Sequence, residues 1–221
     1  MPRSPDPTWF SAQRTAMVAG QLRLRDISDE AILAAMGRVP RHRFLPSEWA
    51  RQAYEDHPVD IGHGQTISQP YMVAYMAQLI APQADMTVLD VGAGSGYQSA
   101  VLAEIVQQVW AVERISDLAE NAKRVLMELG YSNVNVLVAD GSLGLPEHAP
   151  YDAILVGAGA PEVPGPLVEQ LADGGKLVVP VGGRGYQRLT LVENRGGHIM
   201  EHTDLACRFV DLIGRYGHQN G

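Results

Sequence analysis

Residues Thr87-Val-Leu-Asp-Val-Gly-Ala-Gly-Ser-Gly-Tyr97 decide how the chain is read. Val88, Leu89 and Val91 form a short apolar run ending at glycines, the pattern of a buried parallel strand meeting a turn. Tyr97 to Val106 then reads as a helix. Glycine at 92, 94 and 96 lets the backbone take positive φ and lets a ligand approach with no Cβ in the way. The dinucleotide fingerprint is G-x-G-x-x-G; here the third glycine comes one residue sooner, which argues against NAD. Glu113 lies beyond a second apolar run, Val109 to Val112, where a strand-end carboxylate can accept both hydroxyls of a ribose. Three glycines also suit an ordinary tight turn, so the flanking sequence has to discriminate.

Downstream, the pattern alternates. A helix from Asp117 to Leu129 is closed by Gly130, a strand runs from Val134 to Val138, another from Tyr151 to Val156, and a short helix spans 166–171. This is a βαβαβ unit, so the expected fold class is α/β: a doubly wound, mostly parallel sheet with helices on both faces. Ligands bind beyond the carboxyl ends of such strands, which directs the loops at 92–96, 113 and 140–141 to one crevice. Asp140 is therefore a candidate adenine contact, although Asp140-Gly141 also reads as a plain turn. Past Gly175, the runs 176–181, 189–192, 199–203 and 209–213 read as strands, with Gly182, Gly183, Gly185, Gly196 and Gly197 as turns. They suggest antiparallel additions at the sheet edge.

Upstream, Pro2, Pro5 and Pro7 predict an extended start, followed by a helix over 8–22. Ser28 is the expected N-cap of a second helix that ends before Pro40. Arg41-His42-Arg43 reads as a solvated basic patch with no assigned role. Residues 54–69 are rich in loop formers and predict an ordered loop. Ser68 is placed to cap a helix that begins at Pro70 and carries Met72, Val73, Met76, Leu79 and Ile80 at helical spacing.

At 221 residues the chain suits one domain, with residues 1–80 as an N-terminal helical extension plus loop and 81–221 as the core. A formal net charge of −8 argues against a surface that grips nucleic acid. The single cysteine, Cys207, excludes an internal disulfide and fits a reducing compartment. The first ten residues lack a signal-peptide core and no run is long enough to span a membrane, so a cytoplasmic protein is expected. His198-Ile-Met-Glu-His202 matches the H-x-x-E-H zinc signature. That chemistry needs a helix, and in the strand expected here the two histidines would stand about 13 Å apart, so no metal is assigned.

The G-x-G-x-G spacing resembles that of class I methyltransferases, which bind S-adenosylmethionine. Residues 53–72, Ala-Tyr-Glu-Asp-His-Pro-Val-Asp-Ile-Gly-His-Gly-Gln-Thr-Ile-Ser-Gln-Pro-Tyr-Met, resemble one family more narrowly, protein-L-isoaspartate O-methyltransferase. The likeness extends to Val39-Pro-Arg-His-Arg-Phe, Val91-Gly-Ala-Gly-Ser-Gly-Tyr-Gln, Glu147-His-Ala-Pro-Tyr-Asp-Ala-Ile, Ala160-Pro-Glu-Val-Pro and Arg208-Phe-Val, and covers residues 14–214. Gly64-Gln-Thr-Ile-Ser-Gln-Pro is its most specific part. The resemblance implies a Rossmann-like sheet with S-adenosylmethionine as cofactor and isoaspartyl proteins and peptides as partners. It also implies that Ser68 is the active-site serine. Thr66, Ile67, Gly92, Gly94, Gly96, Glu113, Asp140 and Gly141 would bind the cofactor. The chain departs from the family in the glycines of Val156-Gly-Ala-Gly-Ala160 and in Asp211, where proline is common. The rival readings are a methyltransferase for a small molecule or RNA, and a non-catalytic adenosyl-binding adaptor.

Overall fold

The computed structural model describes residues 6–219, which leaves the expectation for Pro2 and Pro5 outside the described residues. Among the described residues, three α-helices precede the main sheet. α1 (Pro7–Met17) is capped by Asp6 and runs on through a π-helical turn to Leu22; α2 (Glu30–Arg38) and α3 (Pro70–Ile80) pack beside it. The cap of α2 is Asp29, not Ser28: its carboxylate accepts from the N–H groups of Ala31 and Ile32. An ionised oxygen at the N-terminus is also favoured by the helix dipole.

The expected loop at 54–69 contains a small hairpin, β1 (Val59–Gly62) with β2 (Gln65–Ile67). Gly62, His63 and Gly64 all take positive φ and reverse the chain, which the loop-forming composition signalled only as a break. Val59, Ile61 and Ile67 turn inward, so the hairpin is held by its buried face.

The main sheet alternates with helices: β3 (Thr87–Val91), α4 (Tyr97–Ala103), β4 (Gln108–Glu113), α5 (Ser116–Glu128), β5 (Val134–Val138), β6 (Tyr151–Val156) and α6 (Gly165–Glu169). Three long strands follow, β7 (Leu171–Gly183), β8 (Tyr186–Arg195) and β9 (His198–Cys207). The order is β5-β4-β3-β6-β7-β8-β9, parallel from β5 to β7 and antiparallel beyond. The chain therefore reverses its direction of growth between β3 and β6, and the crevice of a doubly wound sheet opens at that point. Period-2 alternation divides β3 between two cores. Val88 joins the core under α3, α4 and α5, while Leu89 and Val91 face the core covered by Leu167 of α6 and by Leu212. No helix among the described residues is long and apolar enough to cross a membrane.

Two further expectations fail. Residues 209–213 do not form a ladder strand. β7 is already paired with β8, so the segment leaves the sheet edge and crosses beyond β6 as a strap. It is held by Gly159 N–H to the Val210 carbonyl (2.7 Å) and Leu212 N–H to the Gly159 carbonyl (2.8 Å). Nor is 41–43 a solvated patch. Arg41 is fully buried, donates from Nε to the Ala53 carbonyl at 2.6 Å and lies 4.7 Å from the Tyr97 ring centre. Burial pulls its pKa down to about 10. His42 is half-buried and stacks on Phe10 at 3.9 Å, and Arg43 is exposed, paired with Glu128. The H-x-x-E-H residues lie along β9, an extended strand.

Candidate active site

The site is built from strand ends. Gly92, Gly94 and Gly96, at the end of β3, have φ of 79°, 54° and 87°. The N–H groups of Gly92 and Ala93 both reach the Val112 carbonyl, at 2.8 and 3.1 Å, and Gly94 N–H reaches Glu113 Oε2 at 2.9 Å. The glycine loop is thereby stitched to the end of β4. Gly157 ends β6, on the other side of the switch point. Its N–H donates to the Val91 carbonyl at 2.8 Å, and a Cβ there would stand 3.1 Å from the Gly92 carbonyl oxygen. A side chain at 157 would therefore require the Gly92 carbonyl to give by a few tenths of an ångström.

Above these glycines lies a narrow crevice of about 40 Å³. Thr66, Gly92, Gly94, Glu113, Gly141 and Gly157 line it. Glu113 is buried at 6% exposure, and its two oxygens accept from Gly94 N–H and Ile115 N–H, each at 2.9 Å. A carboxylate offers about four lone-pair sites, so two remain for hydroxyls in the cavity. That donor set fits an adenosyl ribose.

A second, larger cleft of about 620 Å³ opens between the start of α3 and the strap, walled by Ser68, Gln69, Met72, Arg208 and Phe209. The two spaces share Thr66, Gly157, Val210 and Asp211. A smaller space between them is lined by Thr66, Ile67, Ser68, Gly92, Gly94 and Gly157. Hairpin and glycine loop therefore meet at one place. Ser68 does not cap α3: Gln69 holds the N-cap position, with no side-chain bond, and the first helical residue is Pro70. The Ser68 side chain is thus left to the cleft.

Of the residues expected from sequence, Thr66, Ile67, Ser68, Gly92, Gly94, Glu113 and Gly141 come together here. Gly96 and Asp140 line none of these three spaces. Gly96 serves packing, since a Cβ there would meet Ala122 Cβ at 3.1 Å and Leu126 Cδ1 at 3.2 Å. Asp140 Oδ1 accepts from Ser142 N–H and hydroxyl, and Oδ2 accepts from Arg215 N–H at 2.8 Å. Its carboxylate anchors the C-terminal segment.

The sequence marked Gly157 only as a departure from the family pattern, although the strand-end argument used for Gly92 applies equally to it. Asp90 was missed. It is fully buried in β3 and accepts from Ser99 Oγ (2.5 Å) and Gln98 Nε2 (2.7 Å). Burial raises its pKa to about 6 against the pull of those two hydrogen bonds.

The profile of the protein-L-isoaspartate(D-aspartate) O-methyltransferase family matches residues 12–217. Protein-L-isoaspartate O-methyltransferase 1 of Syntrophobacter fumaroxidans is 52% identical over 209 residues, 94% of this chain and 97% of that one. The enzyme of that name from Aeropyrum pernix is 50% identical over 222 residues, covering 98% and 85%. A solved protein-L-isoaspartate O-methyltransferase superposes with a TM-score of 0.82 at 31% identity, over 92% of this chain and 67% of its own. A Plasmodium falciparum structure of the same family name, in complex with S-adenosyl-L-homocysteine, gives 0.80 at 28%, over 90% and 98%. A glycine-floored crevice joined to an open cleft at Thr66 and Gly157, with this breadth of likeness, settles the assignment: the chain belongs to the protein-L-isoaspartate(D-aspartate) O-methyltransferase family.

Proposed function

We propose that the chain transfers a methyl group from S-adenosylmethionine to the free α-carboxylate of L-isoaspartyl residues in peptides and proteins. The observation that carries this reading is the junction of the two spaces at Thr66 and Gly157. The glycine-floored crevice beside Glu113 meets there the larger cleft that runs along the strap past Ser68 and Phe209. Bound S-adenosylmethionine supplies an activated methyl group on a sulfonium sulfur.

The acceptor carboxylate is ionised at neutral pH, with a reference pKa near 3.5–3.9, so it needs no general base. Its oxygen takes the methyl carbon as the carbon–sulfur bond breaks, and no proton moves. The residues therefore act by placement. Glu113 holds the ribose, and the glycine loop and Gly157 admit the cofactor close to the backbone. Thr66 and Ser68 orient the reacting ends at the junction, supplying the proximity that dominates a reaction of this kind. Ser68 is a positioning hydroxyl and not a covalent nucleophile. The backbone amide nitrogen of the following residue then attacks the methyl ester and expels methanol to give a succinimide, which water opens in part to normal aspartate, so that the transfer initiates repair.

Matched isoaspartyl and aspartyl peptides test the reading. They share composition and charge, but the free carboxylate of one sits on the α-carbon and that of the other a methylene farther out. A displacement of about 1 Å costs on the order of a hundredfold where placement is the mechanism. With labelled S-adenosylmethionine, base-labile methyl ester should form on isoaspartyl peptides of varied sequence and almost none on their aspartyl counterparts. Equal labelling of both, or labelling confined to RNA or a metabolite, refutes it.

A further inference from the structure

Asp211 lines both the crevice and the cleft. Its position is set by its neighbours in the strap, because Val210 and Leu212 are both hydrogen-bonded to Gly159. Asp211 Oδ2 lies 3.0 Å from Nε of Arg184, which stands on the turn between β7 and β8. The next residue of that turn, Gly185, lines the cleft, and Arg184 also donates from Nη2 to the Gln219 carbonyl at 2.8 Å. The carboxylate is the more enclosed partner, at 26% side-chain exposure against 58% for the guanidinium. Cofactor crevice and acceptor cleft thus share a carboxylate, and an arginine from another element neutralises it.

That arrangement matters for an anionic acceptor. A second carboxylate brought to the junction would be repelled by an unpaired Asp211. An unpaired Asp211 would also stabilise the positive sulfonium, a charge that is lost as the methyl group leaves, and so would favour the ground state over the transition state. Both effects oppose transfer.

We infer that Arg184 is a positioning residue for methyl transfer, which by pairing with Asp211 opens the junction to a carboxylate acceptor. The inference rests on the isoaspartyl reading proposed above. It gives the β7–β8 turn a role in admitting substrate, although Arg184 itself lines neither space.

Steady-state kinetics of the full chain with one isoaspartyl peptide, for wild type, Arg184→Gln, Asp211→Asn and the double variant, test it. Arg184→Gln should raise the peptide KM about fivefold, the upper end for a charge contact still open to water. The rise should shrink as salt is added. Binding of S-adenosylhomocysteine, whose sulfur is neutral, should stay within about twofold of wild type, and the double variant should regain a near-wild-type KM. An unchanged KM in Arg184→Gln overturns the inference. So does a loss that Asp211→Asn fails to rescue, which would mark a merely structural turn. A wild type inactive on the isoaspartyl peptide, by contrast, overturns the functional reading itself and the inference with it.

Discussion

Replacing Glu113 with alanine should separate two duties of one carboxylate. In the structure Oε2 and Oε1 hold the N–H groups of Gly94 and Ile115, and the remaining lone pairs are free for the ribose. A hydrogen bond to a charged acceptor is worth about 1.5–3 kcal/mol, so loss of the ribose contact should weaken S-adenosylhomocysteine binding by roughly ten- to hundredfold. Losing the acceptor for two loop amides adds about 1–3 kcal/mol of destabilisation, visible as a lower melting temperature. Affinity alone would not show which duty was lost. The decisive measurement is calorimetry with S-adenosylhomocysteine and its 2′-deoxy and 3′-deoxy analogues on both proteins. Wild type should discriminate against the deoxy ligands and Glu113→Ala should scarcely do so, because the acceptor is already gone. Equal discrimination by the two proteins, or an affinity in the variant within about twofold of wild type, would refute the ribose assignment.

Ser68→Ala should lower kcat by about tenfold or more through lost placement while leaving the melting temperature unmoved, since this serine caps nothing. Full turnover, or a melting drop with turnover intact, would exclude the positioning role. Burial, aided by Arg14 and Arg43, lowers the His42 pKa to about 4 from an ordinary 6.5. The folded state then holds fewer protons than the unfolded chain between those values, so stability is lost as pH falls from about 6.5 towards 4. Relative to His42→Gln, wild type should lose about 1 kcal/mol between pH 7.5 and 5, after allowance for the solvent screening of a half-buried ring. Denaturation curves of the two proteins that shift in parallel over that range would refute this account.

Elements whose signal is local were legible in the chain. β5 and β6 fall on the predicted spans, and α5 ends at Glu128 with Gly130 just past its cap, where a φ of 85° suits a left-handed closing residue. The glycine loop takes the positive φ values its composition permits. Boundaries slipped where several polar residues competed, as when Asp29 displaced Ser28 as a cap. The β1–β2 hairpin escaped because strands of four and three residues leave too short an alternation to read.

By itself, then, the sequence determined the alternation of strands and helices, the glycine turn at the end of β3 and the stretch that marks the family. These follow from periodicity and backbone freedom within a few residues. What only the tertiary structure decided were the partners of polar groups. Arg41 looks like a surface charge beside His42 and Arg43, but it is buried against Tyr97. Asp140 looks like a crevice residue but spends its carboxylate on Arg215, and Asp211 is matched by Arg184. The energy of a charged or hydrogen-bonding side chain depends on what the folded chain brings within about 3 Å of it. In this protein those neighbours come from segments tens of residues away, and no local pattern encodes them.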